Sequence, residues 1–155
     1  MKGRLGPRAF RWLMNLWPCY RGTGGRVTHI AADWSEIRVR LPLNWRTRNY
    51  VGSIFGGSLY GAVDPFFMLM LIHRLGPEYT VWDKAATIRF RKPGRGVLHA
   101  TFTLDDGELA AVQEALLTEP KVDRNYRVLL SDAEGTVHAE VEKTVHISRR
   151  CPAQT

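Results

Sequence analysis

Cysteine is scarce in this 155-residue chain: Cys19 and Cys151 stand near opposite ends, with no CxxC pair and no Cys/His cluster around them. That scarcity excludes a disulfide-framed scaffold and the common zinc spacings, so a reduced cytoplasmic protein without a metal is the simplest expectation. Long hydrophobic runs are also missing. The longest, Pro65 to Ile72, is too short to span a bilayer and is headed by Asp64, so no integral membrane association is expected. The N-terminus lacks the continuous apolar region of a secretory signal. No low-complexity tract and no solenoid-type repeat is present. Acidic residues are in deficit, 15 against 22 Lys and Arg, which gives a net charge of +7 and favours anionic partners. The basic residues are spread along the chain without a helix-turn-helix, zinc-finger or RNA-binding aromatic motif, so nucleic acid is not expected among those partners.

The residues present are those of an ordinary globular domain, 45% hydrophobic and 24% charged, in a chain long enough for one core. We divide the chain into an N-terminal amphipathic helix and loop over 1–25, a main domain over 26–150 and a disordered tail over 151–155. Residues 8 to 17 read as a short helix stopped by Pro18. Such a helix ordinarily lids its own core, although Trp12 and Trp17 beside arginines also suit a membrane interface. The Gly22-Thr23-Gly24-Gly25 stretch fails the dinucleotide-binding pattern, because Val27 stands where the last glycine belongs, and reads as a turn.

Ile37, Val39 and Leu41 alternate with charged residues and define a half-buried strand, one arm of a hairpin with the Val27 to Ile30 segment. Residues 53 to 75 lose that alternation and read as one helix about 33 Å long at 1.5 Å per residue. It is apolar nearly all round in its second half and must be wrapped by the rest of the protein. Two alternating series follow, Lys84 to Phe90 and Leu98 to Leu104, joined by a turn at Pro93-Gly94 and expected to pair. Asp105 and Glu108 have the spacing of an N-cap and its N3 partner, opening a helix to Leu117. The last hairpin joins Tyr126–Leu130 to Thr136–Ile147, and in its second arm only Lys143 breaks an apolar face. The class is α+β, with an antiparallel sheet wrapped around a long central helix. Exposed sheet edges imply pairing with a second copy.

Gly56 and Gly57 place bare N–H groups at the positive end of the central helix, a natural position for a carbonyl or oxyanion. At helical spacing Gly57, Tyr60 or Gly61, Asp64, Met68 and Leu71 share a face, which sets a carboxylate two turns below the glycines among apolar residues. Asp64 either serves as general base or nucleophile, or marks a kink at Pro65. The histidines at 29, 73, 99, 138 and 146 show no HExxH spacing, and Ser58 lacks the second glycine of a nucleophile elbow. Arg89 and Arg91, beside Lys92 and Arg95, either meet phosphates or form a solvated face.

The stretch from Asn49 through Gly52, Phe55-Gly56-Gly57 and Asp64 resembles the hotdog-fold acyl-CoA thioesterases of the phenylacetyl-CoA type. Their motif places a histidine where this chain has Phe55. The whole chain is similar to a branch of thioesterase-like hotdog proteins, through its Trp-rich leading helix, Asp64-Pro65 and Ile88-Arg89-Phe90-Arg91-Lys92-Pro93. The resemblance implies a dimer or dimer of dimers binding acyl-CoA or another acyl thioester between subunits, without a cofactor. In its terms the Gly56 N–H, next to Gly57, polarises the thioester carbonyl, Asp64 from one subunit activates water or attacks, and Asn49 helps position the group. Phe55, Tyr60 and Met68 would contact the acyl group and Arg89, Arg91, Lys92 and Arg95 the phosphates. The alternative is a non-catalytic hotdog protein that binds or senses an acyl ligand, since phenylalanine cannot hydrogen-bond a thioester or orient water.

Overall fold

Prolines set the first two elements of the computed structural model, which describes residues 5–150. Pro7 opens helix α1 (Pro7–Leu16) and Pro18 opens helix α2 (Pro18–Thr23), each at a position where the missing N–H costs nothing. The stretch expected as a plain turn is therefore partly helical, and α2 ends on Gly24 at φ +84°, a left-handed cap. The proposed tail at 151–155 lies outside the described residues.

Six strands make one antiparallel sheet: β1 (Arg26–Ile30), β2 (Glu36–Pro42), β3 (Tyr79–Phe90), β4 (Val97–Thr103), β5 (Lys121–Ser131) and β6 (Val137–Arg149), in the order β1-β2-β4-β5-β6-β3. The alternation of Ile37, Val39 and Leu41 is realised as a strict buried face, each of these residues at most 1% exposed. The β1–β2 and β5–β6 hairpins form as the sequence predicts. The expected pairing of the Lys84 and Leu98 series does not. β3 pairs with β6, Ile88 opposite Val141, while β4 lies between β2 and β5. The Pro93-Gly94 segment is a crossing between distant strands, because β6 offers the longer complementary partner to β3.

Helices α3 (Gly56–Gly61) and α4 (Phe66–Leu75) lie under the sheet, with α5 (Asp106–Thr118) at its end. The single helix expected over 53 to 75 is interrupted at 62–65, where Pro65 has no N–H for the Gly61 carbonyl. The Tyr20 hydroxyl donates to the Ala62 carbonyl at 3.1 Å in that break. Beyond it, Phe66 packs on Phe102 and Phe67 on both Phe102 and Tyr126, so aromatic rings join α4 to β4 and β5. Asp105 caps α5 as expected, accepting from the Glu108 N–H at 2.7 Å. Glu108 does not complete a capping box; its carboxylate goes to Arg124 and Tyr126.

The two sheet edges differ. At β1, the Asn15 side chain of α1 bonds both the N–H and the carbonyl of Val27, imitating a neighbouring strand. At β3, only β6 is paired.

Candidate active site

The helix break turns Asp64 toward the last strand. Its Oδ1 accepts from the Tyr60 hydroxyl one turn earlier and from Lys143 Nζ of β6, each at 2.6 Å. Both donors converge on one oxygen, and Oδ2 has no hydrogen-bond partner among the described residues. The side chain is 42% exposed. The sequence-based expectation of a carboxylate enclosed by apolar residues is corrected here: the break lifts Asp64 out of the helix's buried face and sets it at a surface opening. Tyr60 holds the carboxylate, as the shared helical face predicts. Met68 and Leu69 both pack against the core, and of the two Leu69 lines the cavity that Asp64 faces.

Lys143 is the residue that broke the apolar face of β6, and its side chain is fully buried. Besides Asp64 it reaches Asp83 Oδ2 at 2.9 Å and the Tyr60 hydroxyl at 3.3 Å. Burial favours the neutral amine, but the hydrogen bonds from the ammonium to Asp64 and Asp83 outweigh it and hold the pKa above the usual 10.5. Asp83 sits at the bulge of β3, where the register against β6 shifts between Asp83 and Ala85. Burial pushes its carboxyl above the usual range, against the pull of Lys143, and its Oδ1 is buried without a partner. Burial and the bond to Asp64 likewise push the Tyr60 hydroxyl up. One ammonium thus serves two carboxylates, one wet and one dry.

Asp64 faces an apolar cavity of about 480 Å³ between α1 and the helix break. Phe10, Leu13 and Met14 of α1 and Trp17 just after it form one wall, with Tyr20, Pro65 and Leu69 opposite. The N-terminal helix is therefore part of the site's architecture.

The glycine pair occupies a different place. A cleft of about 340 Å³ is lined by Asn49, Gly56, Leu59, Phe90, Arg91 and Lys92, among others. Phe55 caps α3 without a side-chain bond, its carbonyl accepts from the Ser58 N–H at 2.9 Å, and Gly56 at the helix start lines the cleft. Phe90 lies so close that a Cβ on Gly56 would stand 3.1 Å from its ring, and a Cβ on Gly57 would collide with the Phe55 ring. Asn49 builds the loop: its Oδ1 accepts from the Ser53 N–H and its Nδ2 donates to Ser53 Oγ, both at 3.0 Å. Sequence reasoning joins Asp64 and the glycines on one face, whereas within one chain Asp64 and Gly56 line separate openings.

The basic group also divides. Arg89 pairs with Glu142 at 2.8 Å and Arg91 with Glu140 at 2.9 Å across the β3–β6 ladder. Lys92 and Arg95 are exposed, and only Lys92 of these two lines the cleft. Residues that the sequence reading missed are Asp83, Phe90 and the α1 wall. For Asp83 the signal is thin, one acid ahead of an alternating strand. No metal-binding group of His, Cys, Asp or Glu occurs among the described residues.

A family described as Domain of unknown function (DUF4442) matches residues 6–147. No match to a curated protein was found. Among solved structures the chain is similar to PA5026 of Pseudomonas aeruginosa, a protein of unknown function called a probable thioesterase. The identity is 20% and the TM-score 0.80, over 92% of this chain and 95% of that one. It is similar to OLEI01261 of Chlorobaculum tepidum, of unknown function, at 15% identity and TM-score 0.73, over 94% and 98% of the two chains. It is similar to the thioesterase HI1161 of Haemophilus influenzae at 13% identity and TM-score 0.70, over 99% and 98%. At such identities the likeness carries the architecture and leaves the chemistry to the residues. The chain has the hotdog fold of these thioesterase-like proteins, and with nearly its whole length matched it belongs to the DUF4442 family.

Proposed function

We propose that this protein hydrolyses an acyl thioester, with Asp64 as the residue that activates water. The observation that carries the reading is the half-exposed Asp64 carboxylate, held through Oδ1 by Lys143 and Tyr60 with Oδ2 unpartnered among the described residues, at the mouth of an apolar cavity. An acyl chain fits such a cavity, whose lining is nearly all hydrocarbon and aromatic. Water hydrogen-bonded to Oδ2 adds to the thioester carbonyl as its proton passes to Asp64. The C–S bond then breaks, the thiolate takes up a proton, and the carboxylic acid is released. Names of similar structures that include "thioesterase" support the reaction class.

The oxyanion needs donors, and Gly56, beside Gly57 at the start of α3, lines a cleft that Asp64 of the same chain does not share. A dimer in which one chain supplies Asp64 and the other the glycines completes the site. Acyl-CoA suits the second cleft, where Lys92, with Arg91 and Arg95 nearby, would meet phosphate. Asn49 acts by holding the loop before Gly56.

A second reading, a non-catalytic acyl-ligand binder, is favoured by Phe55, whose ring lies against Gly57 and offers no hydrogen bond. The deciding experiment is a panel of acyl-CoA esters of graded chain length, with free thiol detected, run beside direct binding of the same esters. Thiol release above the spontaneous rate supports hydrolysis. Saturable binding without release supports the second reading.

A further inference from the structure

Helix α1 covers the cavity with one face and leaves an apolar arc uncovered. Phe10 and Met14 turn to the core, and Trp34 packs on Phe10. The adjacent side is clamped to β1 by Asn15 and by Arg11, whose guanidinium donates to the Thr28 carbonyl at 2.7 Å. Opposite the core-facing pair, Trp12 and Leu16 form one i, i+4 ridge, 65% and 63% exposed. Leu13 and Trp17 follow at the rim of the cavity they help to wall, still 38% and 51% exposed. Leu5 just before the helix is 47% exposed. No residue of α1 is buried, which is unusual for a helix so rich in large apolar side chains.

The N-terminal segment that carries this arc has charge of one sign. Residues 1–32 contain Lys2, Arg4, Arg8, Arg11, Arg21 and Arg26, and the first acid in the sequence is Asp33. Arg8 and Arg21 are exposed beside the ridges. A second copy docking through the same face would bring these arginines against their own counterparts, a like-charge contact with no acid on α1 or α2 to relieve it. An anionic lipid surface offers the opposite charge at its headgroups and an apolar layer for Trp12, Leu16 and Trp17.

We propose that α1 is an interfacial anchor that docks this protein on anionic membrane surfaces, with Trp12, Leu13, Leu16 and Trp17 entering the headgroup boundary and Arg8 and Arg21 meeting lipid phosphates. Docking is peripheral, and no described helix is long and apolar enough to cross a membrane. The inference stands on the exposed surface and does not require that the protein hydrolyse anything.

The test uses the full chain with vesicles of phosphatidylcholine alone or mixed with phosphatidylglycerol, in a flotation assay at two salt concentrations. The protein floats with the mixed vesicles, about tenfold more than with phosphatidylcholine alone, and added salt weakens the association. Trp12→Ser/Leu16→Ser lowers flotation about tenfold while the thermal midpoint and the solution mass stay unchanged, since both side chains already face water. Arg8→Gln/Arg21→Gln removes the preference for anionic vesicles. Equal flotation with both vesicle types, or none, overturns the proposal. So does a double apolar variant that keeps its flotation but changes the solution mass, which would assign the arc to a second copy.

Discussion

Lys143 Nζ stands 2.6 Å from Asp64 Oδ1, although 79 residues separate the two in the chain. The contact explains why a lysine interrupts the apolar face of β6 and why an acid interrupts the central helix. It also joins the candidate reactive carboxylate to the core, so the chemistry and the stability of the site are separable only by choosing which partner to change.

Asp64→Asn keeps the shape of the side chain and an oxygen for Lys143 while removing the base. Thioester turnover falls about 10²–10⁴-fold, and acyl-CoA affinity and thermal midpoint change little. Free-thiol detection and direct ligand binding on the same preparation check it. Unfolding of this variant would favour Asp64 as a structural acid at the Pro65 break.

Lys143→Met leaves Asp64 and Asp83 without their common cation, and Asp83 is already partly buried with one oxygen unpartnered. Loss of about 3–5 kcal/mol is expected from chemical denaturation, as for other broken buried ion pairs. Adding Asp83→Asn recovers part of that loss, because the dry carboxylate no longer needs a counter-ion. Additive losses in the double variant would argue against the coupling.

Phe55→His returns a hydrogen-bonding ring to the N-cap of α3. The expected outcome is a rise in thioester turnover of about tenfold or more, read as kcat/KM. A variant that binds acyl-CoA unchanged and releases no thiol would favour the non-catalytic reading.

Acid stability follows from carboxylates held below their usual values: Glu108 by Arg124, Glu140 by Arg91 and Arg127, Asp123 by Lys84 and His146, and Asp132 by His138. Each folded pKa lies below the unfolded one, so the stabilisation is complete above the ordinary values of 3.8 to 4.5 and is lost as pH falls through the lower folded values. Asp83 acts oppositely, its carboxyl raised where these are lowered. The thermal midpoint therefore falls as pH drops below about 4. On the alkaline side the raised Lys143 contributes fully below 10.5 and is lost as pH rises through its higher folded value. A midpoint that stays flat from neutral pH into the acid range would contradict the ion-pair assignments.

β3 presents twelve residues, Tyr79–Phe90, as a sheet edge paired only with β6, and Trp82 and Phe90 on it are exposed. Light scattering at micromolar concentration should give the mass of a dimer or a dimer of dimers. A monomer would remove the two-chain site proposed for thioester cleavage.

Much of this fold is readable from local pattern. The period-two alternation at Ile37, Val39 and Leu41 and along β6 marks strands with one buried face, and Asp105 with Glu108 marks the start of α5. Pro65 beside Asp64 signals the break in the central helix, although apolar residues continue on both sides of it. These features rest on side-chain periodicity and on the geometry of one residue's backbone, both of which act over a few positions.

Local pattern thus specifies the class of elements, their faces and the two positions, Asp64 and Lys143, that violate those faces. Long-range packing places β3 beside β6 and not β4, lets the two violations neutralise each other with Asp83 as a third member, and opens Asp64 under α1 while Gly56 opens beside Phe90. Alternation says which side of a strand seeks cover but not which strand supplies it. That choice depends on matching length, twist and buried surface across the whole sheet, and a charge buried in one element is tolerable only when the completed packing brings its counter-charge within reach.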